Sequence, residues 1–383
     1  MKTIAFIPVR GGSKSIPLKN IKPFCGKPLV CWSIERLENC PEVDQVIVAT
    51  DSDEIWKTVA KQKYKKTTLY RRSVENACDT ASTESVMLEY IRYAKLEDED
   101  VFMLVQATSP LTQTIHFSEA LRMYANGEYD SILTCVRNFR FFWNEDGTSM
   151  NYDYMNRPRR QNFNGMLMEN GAFYVNTVKN ILGNGNRLGG KIGIYEMPEY
   201  TATEIDEPDD WIILENLMRK HILAHQTTEK QEIKLFLTDI DGTLTDGGMY
   251  YSENGDELKK FNTRDGMGIC MLREKGIKVG IITSEDRQLN LRRADKLKVD
   301  FIKQGKRNGS KLQVAKDVCE EMGITLQQVA YIGDDVNCFE LLSAVGIAAC
   351  PADACEKVRN IAGIHIMKMK GGEGCVREFC EYI

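Results

Sequence analysis

The sequence has few of the side chains that bind transition metals, and they are not spaced as in a metal site. Its 383 residues include only four histidines, and its twelve cysteines form no Cys-x-x-Cys pair. Zinc sites and disulfide frameworks both depend on such spacings. The cysteines are therefore predicted to be free thiols, mostly small core residues, and we assign none of them a chemical role.

Long apolar runs and an excess of positive charge are also missing. No apolar run is long enough to span a membrane and no signal peptide is recognisable, so we expect a cytoplasmic protein without a membrane partner. The formal net charge is −5, which argues against nucleic acid bound by bulk electrostatics. Any binding of phosphate must therefore be local.

Length and composition indicate two soluble globular domains. The chain exceeds the size of one typical domain, with 43% hydrophobic and 27% charged residues. Apolar runs alternate with amphipathic segments on both sides of a polar stretch at residues 225–232, without an internal repeat. We expect two tandem α/β domains built on parallel sheets, with residues 1–228 in the first and 229–383 in the second.

The apolar runs give the predicted strands. In the first domain they are residues 3–9, 45–50, 101–107 and 131–136, and in the second they are residues 234–238, 278–283, 328–333 and 346–350. A helix is predicted to begin at Pro208. Residues from about 138 to 195 are aromatic and arginine-rich, and we interpret them as an arm that reaches a neighbouring subunit rather than as another strand–helix unit.

The first candidate site follows the first predicted strand, which runs directly into Arg10-Gly-Gly-Ser-Lys14. Paired glycines let the backbone turn sharply and present N–H groups to an anion, and Lys19 adds a third cation. No Gly-Lys-Ser/Thr follows at the Walker spacing, so generic ATPase chemistry is disfavoured. A polyphosphate site is predicted, and an ordinary turn with surface lysines is the alternative.

Four further motifs lie where α/β enzymes place their sites, near the carboxyl ends of strands. Each also has a purely structural interpretation: a helix cap for Arg71-Arg72 with residues 79–83, a turn for residues 106–110, a solvated loop for residues 157–161, and an acidic surface for Glu204-Ile-Asp206. Three arginines held beside a proline suit bidentate binding of carboxylate or phosphate. Two carboxylates on one face of an extended segment suit a hard cation such as Mg²⁺.

Together these motifs resemble those of the CMP-sialic acid synthetase family over the whole first domain. The resemblance implies a nucleotide-diphospho-sugar transferase fold, Rossmann-like, and transfer of CMP from CTP to a nonulosonic acid, either N-acetylneuraminate or KDN. It implies that the nucleotide is bound by Arg10, Gly12, Ser13, Lys14, Asn20, Arg72, Ser82 and Thr83, with Lys19 and Arg157 catalytic.

The same resemblance implies the remaining site residues of the first domain. Gln106, Gln161 and Asn170 would bind the sugar acid. Arg160, with Arg157, would reach from the arm across a dimer interface to the phosphates of CTP or to the carboxylate of the sugar acid. Asp206 would carry Mg²⁺. The family usually shows two aspartates here, whereas this chain has Glu204 as the first, with a longer side chain.

The second domain opens with the most specific signal in the chain, an apolar strand that ends in Asp239 and Asp241. This spacing places two carboxylates side by side, where one can attack phosphorus while the other donates and recovers a proton and Mg²⁺ screens the phosphate. Further along, Thr283 ends an apolar strand, Lys311 opens a helix, and Gly333-Asp334-Asp335 closes another strand.

This order resembles the haloacid-dehalogenase-type phosphatases, and most closely their small, cap-less branch acting on KDO 8-phosphate and on KDN or N-acylneuraminate 9-phosphate. The resemblance implies a nucleophile at Asp239, a general acid/base at Asp241, phosphate binding by Thr283 and Lys311, and Mg²⁺ held by Asp239, Asp241 and Asp334. It also implies a homotetramer in which a glycine-rich segment at residues 370–374 helps complete a neighbour's site. Cys338 stands where the branch commonly has a second acid.

The order of the two domains resembles that of animal CMP-sialic acid synthetases, whose second domain has lost its catalytic acids. Because the acids are present here, we predict a bifunctional enzyme that removes phosphate from a nonulosonic acid 9-phosphate and then activates the free sugar with CTP. Two alternatives stay open. The second domain is a tetramerisation scaffold, for which Cys338 is the strongest argument, or the substrates are another sugar acid such as KDO.

Overall fold

The computed structural model describes residues 1–78, 80–223, 232–305 and 310–383. Its internal contacts divide the chain into two compact units, Met1–Ile222 and Leu223–Ile383. The predicted boundary between residues 228 and 229 and the polar stretch around it lie outside the described residues, apart from Glu232.

The first unit alternates strands and helices. Its strands are β1 (Thr3–Pro8), β2 (Pro23–Phe24), β3 (Lys27–Pro28), β4 (Gln45–Thr50), β5 (Thr67–Arg71), β6 (Val101–Val105), β7 (Ser131–Asn138), β8 (Met166–Thr177) and β9 (Ile192–Met197). Its α-helices are α1 (Leu29–Glu38), α2 (Asp53–Ala60), α3 (Thr83–Ala94), α4 (Thr114–Ala125), α5 (Val178–Asn184) and α6 (Pro208–Met218). The four predicted strands and the helix start at Pro208 are confirmed.

Seven of these strands form one sheet in the order β5-β4-β1-β6-β8-β7-β9. Strand β8 runs antiparallel to both of its neighbours, while the other adjacent pairs are parallel. The sheet is therefore mixed rather than wholly parallel. The predicted arm is also too long. Strand β8 and most of β9 belong to the sheet, and α5 packs against it, so the arm is shortened to residues 139–165.

Helices cover both faces of this sheet. Successive side chains of a strand point to opposite faces, so Ala5 and Ile7 pack with α1, α2 and α4, whereas Ile4 and Phe6 pack with α3 and α5. All four side chains are fully buried. This three-layer packing leaves the ends of the strands as the accessible edges where loops can build a site.

The second unit repeats the same architecture on a smaller scale. Its strands are β10 (Leu235–Thr238), β11 (Tyr250–Tyr251), β12 (Glu257–Leu258), β13 (Lys278–Ile282), β14 (Phe301–Lys303), β15 (Val329–Ile332), β16 (Ile347–Cys350) and β17 (His365–Ile366). Its helices are α7 (Thr263–Glu274), α8 (Gln288–Leu297), α9 (Ser310–Met322), α10 (Phe339–Leu342), α11 (Glu356–Arg359) and α12 (Cys375–Tyr382).

Six strands form a parallel sheet in the order β14-β13-β10-β15-β16-β17, and β11 pairs with β12 as a separate hairpin. The parallel sheet predicted for this domain and its four strands are confirmed. Leu235 and Leu237 pack with α9, α10 and α11, while Phe236 packs with α7, α8 and α12. Strand β10 is thus central in the sheet and buried on both faces.

Two expectations from composition can be compared with the structure. None of the twelve cysteines, all of which lie in the described ranges, forms a disulfide. Within those ranges no helix combines the length and the apolar character that a membrane crossing needs.

Candidate active sites

The predicted site residues of the first unit come together at one edge of its sheet. Strands β5, β4, β1, β6, β7 and β9 share a direction, so their carboxyl ends meet at the same edge, and the amino end of the antiparallel β8 joins them. Asn170 lies in the first half of β8. The predicted site residues that follow the carboxyl ends of the other strands are Arg10, Arg72, Gln106, Glu204 and Asp206.

The loop after β1 depends sterically on one of its two glycines. A Cβ added to Gly11 would lie 2.8 Å from Cβ of Ser52, so only glycine permits this approach, whereas one added to Gly12 would meet no atom within 4 Å. The N–H of Gly11 donates to Asp51 Oδ1 at 3.0 Å, and that of Ser13 donates to Gly11 O at 3.1 Å. Two N–H groups predicted to face an anion are thus engaged within the protein.

The end of this loop contacts the acidic segment that follows β9. Asn20 is buried and ties the loop back to its start by donating to Arg10 O at 3.2 Å. Lys19 Nζ donates to Ile205 O at 2.7 Å and lies 3.3 Å from Asp206 Oδ1, and Ser15 Oγ donates to Asp206 O. The predicted triphosphate loop and the predicted magnesium ligand are therefore adjacent, with an ammonium between them.

The carboxyl group of Glu204 lies half-buried beside that of Asp206. Burial and the charge of Asp206 raise the pKa of Glu204, although Thr108 Oγ1 donates to its Oε2 at 3.3 Å. Gly171, whose φ is +64°, lets the backbone of β8 pass this carboxylate at close range. Two neighbouring carboxylates in a partly covered site have the ligand chemistry that fits a divalent cation.

A second cation lies near Arg10 at the end of β5. Burial lowers the pKa of Arg72, and the positive charge of Arg10 lowers it further, against the opposing charges of Asp51 and Glu89. Its Nε–H is buried and donates a hydrogen bond to no atom of the described residues. Two guanidinium groups close enough to repel each other, one with an unused donor, are suited to an anionic ligand.

The hydroxyl-rich motif before α3 forms a helix cap. Ser82 Oγ accepts a hydrogen bond from the N–H of Ser85 at 3.1 Å, and the helix begins at Thr83. The structural interpretation of this motif as a helix cap is therefore confirmed for Ser82, while binding of the nucleotide by Ser82 and Thr83 stays a prediction. Asp79 of the same motif lies outside the described residues.

The predicted sugar-binding residues at β6 and β8 differ in how they are held. Gln106 is half-buried, and its N–H donates to Ala172 O at 3.0 Å. Asn170 is buried, and its Nδ2 donates to Thr201 O at 3.1 Å, which ties β8 to the turn after β9. Its Oδ1 is buried without a partner in the described part of the chain, so it retains an acceptor for a ligand or water.

The arginines of the arm contact aromatic rings of the arm itself. The guanidinium of Arg157 lies 4.6 Å from the ring centre of Phe141, and that of Arg160 lies 5.3 Å from Phe139 and pairs with Glu199 at 3.2 Å. Arg157 and Arg160 are exposed, as is Gln161. Within one chain these residues thus form a cationic surface on residues 139–165.

In the second unit, the order of the strands brings its motifs together. Asp239 follows β10, which lies between β13 and β15, so Thr283 and Asp334 follow the two neighbouring strands about 5 Å away on either side. Thr283 is buried, and its Oγ1 accepts from the N–H of Glu285 at 3.3 Å. The structure therefore places Asp239, Thr283 and Asp334 at one edge of the sheet.

The carboxylate of Asp239 is held by a lysine and by a thiol. Lys311 Nζ lies 2.5 Å from Asp239 Oδ2, and Cys338 Sγ donates to the same oxygen at 3.0 Å. Tyr331 OH in turn donates to Cys338 Sγ at 3.1 Å. Burial and the charge of Asp239 raise the pKa of Cys338, so it acts as a neutral donor. Cys338, to which the sequence assigned no chemical role, therefore contacts the predicted nucleophile directly.

One group of three side chains among the described residues could hold a metal ion together. Ligand atoms of Asp239, Asp334 and Cys338 lie within 4.8 Å of one another. Burial and the charge of Asp239 raise the pKa of Asp334 to about 7. A buried and a half-buried carboxylate this close fit a hard divalent cation, which would offset their repulsion, whereas a protonated thiol adds little to oxygen ligation.

Asp241 was also predicted to hold the metal, and its side chain is not part of that group. Its Oδ1 accepts from Lys259 Nζ at 2.7 Å. Burial raises the pKa of Asp241, and Lys259 opposes this shift. Sequence reasoning missed Lys259 and its second acceptor, Glu285, because a Lys-Lys pair after a polar hairpin carries no signal that distinguishes it from a solvated surface.

Glycines allow the loop after β10 to approach its neighbours closely. Gly242 has φ +74°, and a Cβ there would lie 1.9 Å from Asp334 Oδ2. A Cβ on Gly371 would lie 2.1 Å from Gly242 O, and the N–H of Gly372 donates to Thr243 O at 3.0 Å. The glycine-rich segment that was predicted to complete a neighbour's site therefore packs against the Asp239–Asp241 loop of its own chain.

Asp265 connects this carboxyl-terminal segment to α7. It is fully buried, and its Oδ1 accepts from the N–H of Arg377 at 2.9 Å in the first turn of α12, a helix whose own N-cap residue is a glycine. Its Oδ2 is buried without a partner among the described residues. Burial raises the pKa of Asp265 to about 6, against the bond from Arg377 and the charge of Arg293.

We expect Asp265 to make the stability of the second unit depend on pH. A carboxyl group whose pKa is raised by folding binds its proton more tightly in the folded chain, so the stability it confers is full below the unfolded-state pKa of about 4 and is lost as pH rises through about 6. The difference in unfolding free energy between wild type and Asp265→Asn should fall by on the order of 2 kcal/mol between pH 4 and pH 7.5.

Hydrogen exchange of the β10 amides measures the unfolding free energy of the second unit. Tryptophan fluorescence cannot serve here, because all four tryptophans lie in the first unit and report its unfolding instead. Asp300→Asn is a control of opposite sign, since bonds from Lys278 and from the N–H of Val279 outweigh burial and lower the pKa of Asp300. A wild-type to Asp265→Asn difference that does not change with pH would contradict the prediction.

The sequence was compared with known families and proteins. Residues 4–232 match the cytidylyltransferase family, and residues 293–376 match the haloacid dehalogenase-like hydrolases. N-acylneuraminate cytidylyltransferase of Oncorhynchus mykiss is 36% identical over an alignment covering 99% of this chain and 88% of the relative. N-acylneuraminate cytidylyltransferase B of Danio rerio is also 36% identical, covering 99% of this chain and 89% of the relative.

A second kind of relative aligns with a smaller part of the chain. The 3-deoxy-D-manno-octulosonate 8-phosphate phosphatase of Salmonella typhi is 36% identical over an alignment that covers 42% of this chain and 85% of the relative. This chain is thus similar to proteins of two activities. The cytidylyltransferases align along nearly its whole length, and the phosphatase aligns with less than half of it.

Proposed function

The chain belongs to the cytidylyltransferase family, and we propose that it is a bifunctional enzyme with one activity in each unit. The first unit transfers CMP from CTP to a nonulosonic acid, N-acetylneuraminate or KDN, and releases pyrophosphate. The second unit hydrolyses the 9-phosphate of such a sugar acid. The observation that carries this proposal is a full-length similarity to N-acylneuraminate cytidylyltransferases in a chain whose second unit keeps Asp334 beside the buried pair of Asp239 and Lys311.

In the first reaction, the C2 hydroxyl oxygen of the sugar acid attacks the α-phosphorus of CTP. The bond from that phosphorus to pyrophosphate breaks, and the proton of the hydroxyl group passes to water. Arg10, Arg72, Lys14 and Lys19 bind the triphosphate, and Arg157 and Arg160 approach from the arm of a neighbouring subunit. Alignment and charge neutralisation by these groups in a water-poor cleft lower the barrier by on the order of several kcal/mol.

In the second reaction, a carboxylate oxygen of Asp239 attacks the phosphorus of the sugar phosphate. The bond to the sugar oxygen breaks, and that oxygen takes a proton from Asp241. Water then attacks the phosphoryl group on Asp239 and gives a proton back to Asp241. The bond between phosphorus and the Asp239 oxygen breaks, and inorganic phosphate is released. Lys311 and Thr283 hold the phosphate oxygens during both steps, and the raised pKa of Asp241 supports its role as the proton donor.

We further propose that both sites use Mg²⁺, held by Asp239 and Asp334 in the second unit and by Asp206 with Glu204 in the first. Bound there, the ion would supply positive charge that offsets the charge developing on the phosphate oxygens. The clustered carboxylates in the second unit and the raised pKa of Glu204 in the first support this assignment.

The active assembly is proposed to be a homotetramer, formed from dimers joined by residues 139–165. The exposed arginines and aromatic rings of that segment support an intersubunit role, because arginine and aromatic side chains are enriched at protein interfaces. No nucleic acid and no membrane is assigned as a partner.

The runner-up function is a cytidylyltransferase whose second unit is only a tetramerisation scaffold. Cys338, which replaces the acid common in the phosphatase branch, favours this alternative. The contacts of Cys338 argue against the scaffold function. The thiol donates to Asp239 and lies 3.3 Å from Lys311, so it can orient that lysine in place of an acid. Similarity to KDO 8-phosphate phosphatases keeps KDO as an alternative sugar acid.

Two product assays on the intact protein test both activities. With Mg²⁺ and CTP, pyrophosphate release is measured for N-acetylneuraminate, KDN and KDO. Phosphate release is measured for the 9-phosphates of the first two and for KDO 8-phosphate. We expect both products, and we expect EDTA to suppress both. Pyrophosphate without phosphate release from any sugar phosphate would establish the scaffold function, and neither product would refute the proposal.

A further inference from the structure

The side chain of Lys259 is buried among acidic groups at the phosphatase site. It follows β12 of the small hairpin, and its side chain is 0% exposed. Its ammonium lies 2.7 Å from Asp241 Oδ1, 2.7 Å from Glu285 Oε2 and 3.6 Å from Glu257 Oε1. Removing an ammonium from water is costly unless it is paired, and these three carboxylates provide that pairing.

These contacts join three separate segments of the chain. Asp241 lies in the loop after β10, Glu285 in the loop after β13 next to Thr283, and Glu257 in the hairpin. Arg287 approaches the other oxygen of Glu257 at 3.3 Å, which helps to fix that acid. The position of the Asp241 carboxylate relative to the phosphate-binding Thr283 loop is thus set through a single ammonium.

Each of the two neighbouring aspartates has its own lysine. Lys311 contacts Asp239, as expected for a lysine that also binds phosphate, whereas Lys259 contacts Asp241 and comes from a different element. An aspartate carboxylate turns freely about its terminal torsion unless hydrogen bonds restrain it. A proton donor must point at the leaving oxygen when the bond to phosphorus breaks, so a restraint on Asp241 has a direct consequence for that step.

We propose that Lys259 is a positioning residue for Asp241, holding its carboxyl group in the orientation from which it protonates the leaving sugar oxygen. This inference rests on the proposed phosphatase activity of the second unit. Lys259 itself exchanges no proton and forms no bond in the reaction. The proton passes from Asp241 to the oxygen released from phosphorus, and it is replaced when water attacks the phosphoryl group on Asp239.

The test compares a leaving group that needs a proton with one that does not. A sugar acid 9-phosphate releases an alkoxide that must be protonated, whereas p-nitrophenyl phosphate releases a stabilised phenolate. The parameter kcat/KM covers only the steps up to departure of that group, so later hydrolysis of the phosphoryl-enzyme does not enter. For Lys259→Met we expect kcat/KM to fall roughly 100-fold with the sugar phosphate but less than about threefold with the aryl phosphate.

The adjacent Lys260→Met is the matched control, because Lys260 is exposed and its contact is with Asp246 rather than Asp241. It should leave both values of kcat/KM unchanged. Lys259→Gln is the second variant. Its side-chain amide keeps a hydrogen-bond donor for Asp241, which the methionine of Lys259→Met does not. Its expected loss is smaller and equally selective for the sugar phosphate.

The outcomes separate this inference from the function on which it rests. Selective loss with the sugar phosphate supports a positioning role, because a general defect of the fold would lower both values. Equal loss with both substrates in both Lys259 variants, or no loss in either, overturns the inference while the phosphatase function stands. If the unmodified protein hydrolyses neither substrate, the proposed phosphatase activity is itself refuted and the inference falls with it.

Discussion

Asp239→Asn is expected to abolish phosphate release from the sugar acid 9-phosphate while leaving pyrophosphate release from CTP unchanged. The amide cannot serve as the nucleophile, yet it has nearly the shape of the carboxylate and still offers Lys311 and Cys338 an oxygen acceptor. We expect phosphate release to fall roughly 10⁴-fold or more, as for the loss of other enzymic nucleophiles. Pyrophosphate release should stay within about twofold, because changes at independent sites act separately.

This comparison separates an enzyme from a scaffold with a variant of almost unchanged size. Asp317→Asn is the control, since Asp317 is exposed on α9 of the same unit and accepts from Gln313 Nε2 at 2.8 Å. Its phosphate release should equal that of wild type. If Asp239→Asn released phosphate as fast as the unmodified protein, then the activity would not come from this site, and the assignment of Asp239 as nucleophile would be wrong.

Arg10→Ala should have the largest effect in the first unit. Arg10 follows β1, its main-chain oxygen accepts from Asn20, and its charge is felt by Arg72. A triphosphate between these two cations would relieve their repulsion and gain hydrogen bonds to charged donors. Without Arg10, pyrophosphate release should fall by roughly 10²- to 10³-fold, the usual consequence of losing one donor to a developing oxyanion.

The same preparation of Arg10→Ala should release phosphate from the sugar acid 9-phosphate at the wild-type rate, which would show that the second unit is folded. Unchanged fluorescence of the four tryptophans would show the same for the first unit. Arg122→Ala is a matched control within the first unit, because Arg122 lies on α4 and pairs with Glu42 at 2.7 Å. Glu42 precedes β4, so this pair lies at the edge of the sheet opposite to Arg10. Equal losses in the two arginine variants would mean that the effect of Arg10 is not specific to the nucleotide.

Both resemblances stated from the motifs are confirmed by the comparisons, which place cytidylyltransferase relatives along nearly the whole chain and phosphatase relatives along its second part. Motifs of this kind are readable because they stand on a few consecutive residues. Asp239 and Asp241, for example, are two residues apart at the end of one buried strand, so the strand alone brings them to one place.

The sequence did not reveal strands β5 and β8, and the physical cause differs between the two. Strand β5 is an edge strand with a polar and exposed pattern, and it therefore lacks the continuous apolar run of a buried parallel strand. Strand β8 is antiparallel and follows the arm, whose aromatic and arginine-rich composition hides the change from loop to sheet. The interpretation of residues 138–195 as a single arm was too broad for this reason.

The sequence by itself determined the two α/β domains, the positions along the chain of the strands with apolar runs, and the residues at the ends of those strands. These features depend on local pattern and on short spacings. Only the tertiary structure decided that Lys19 contacts Asp206, that Cys338 donates to Asp239, and that Lys259 contacts Asp241. These contacts join residues separated by 187, 99 and 18 positions. Pairing across such separations depends on how strands and loops pack, and side chains of the same types on the surface have the same sequence pattern.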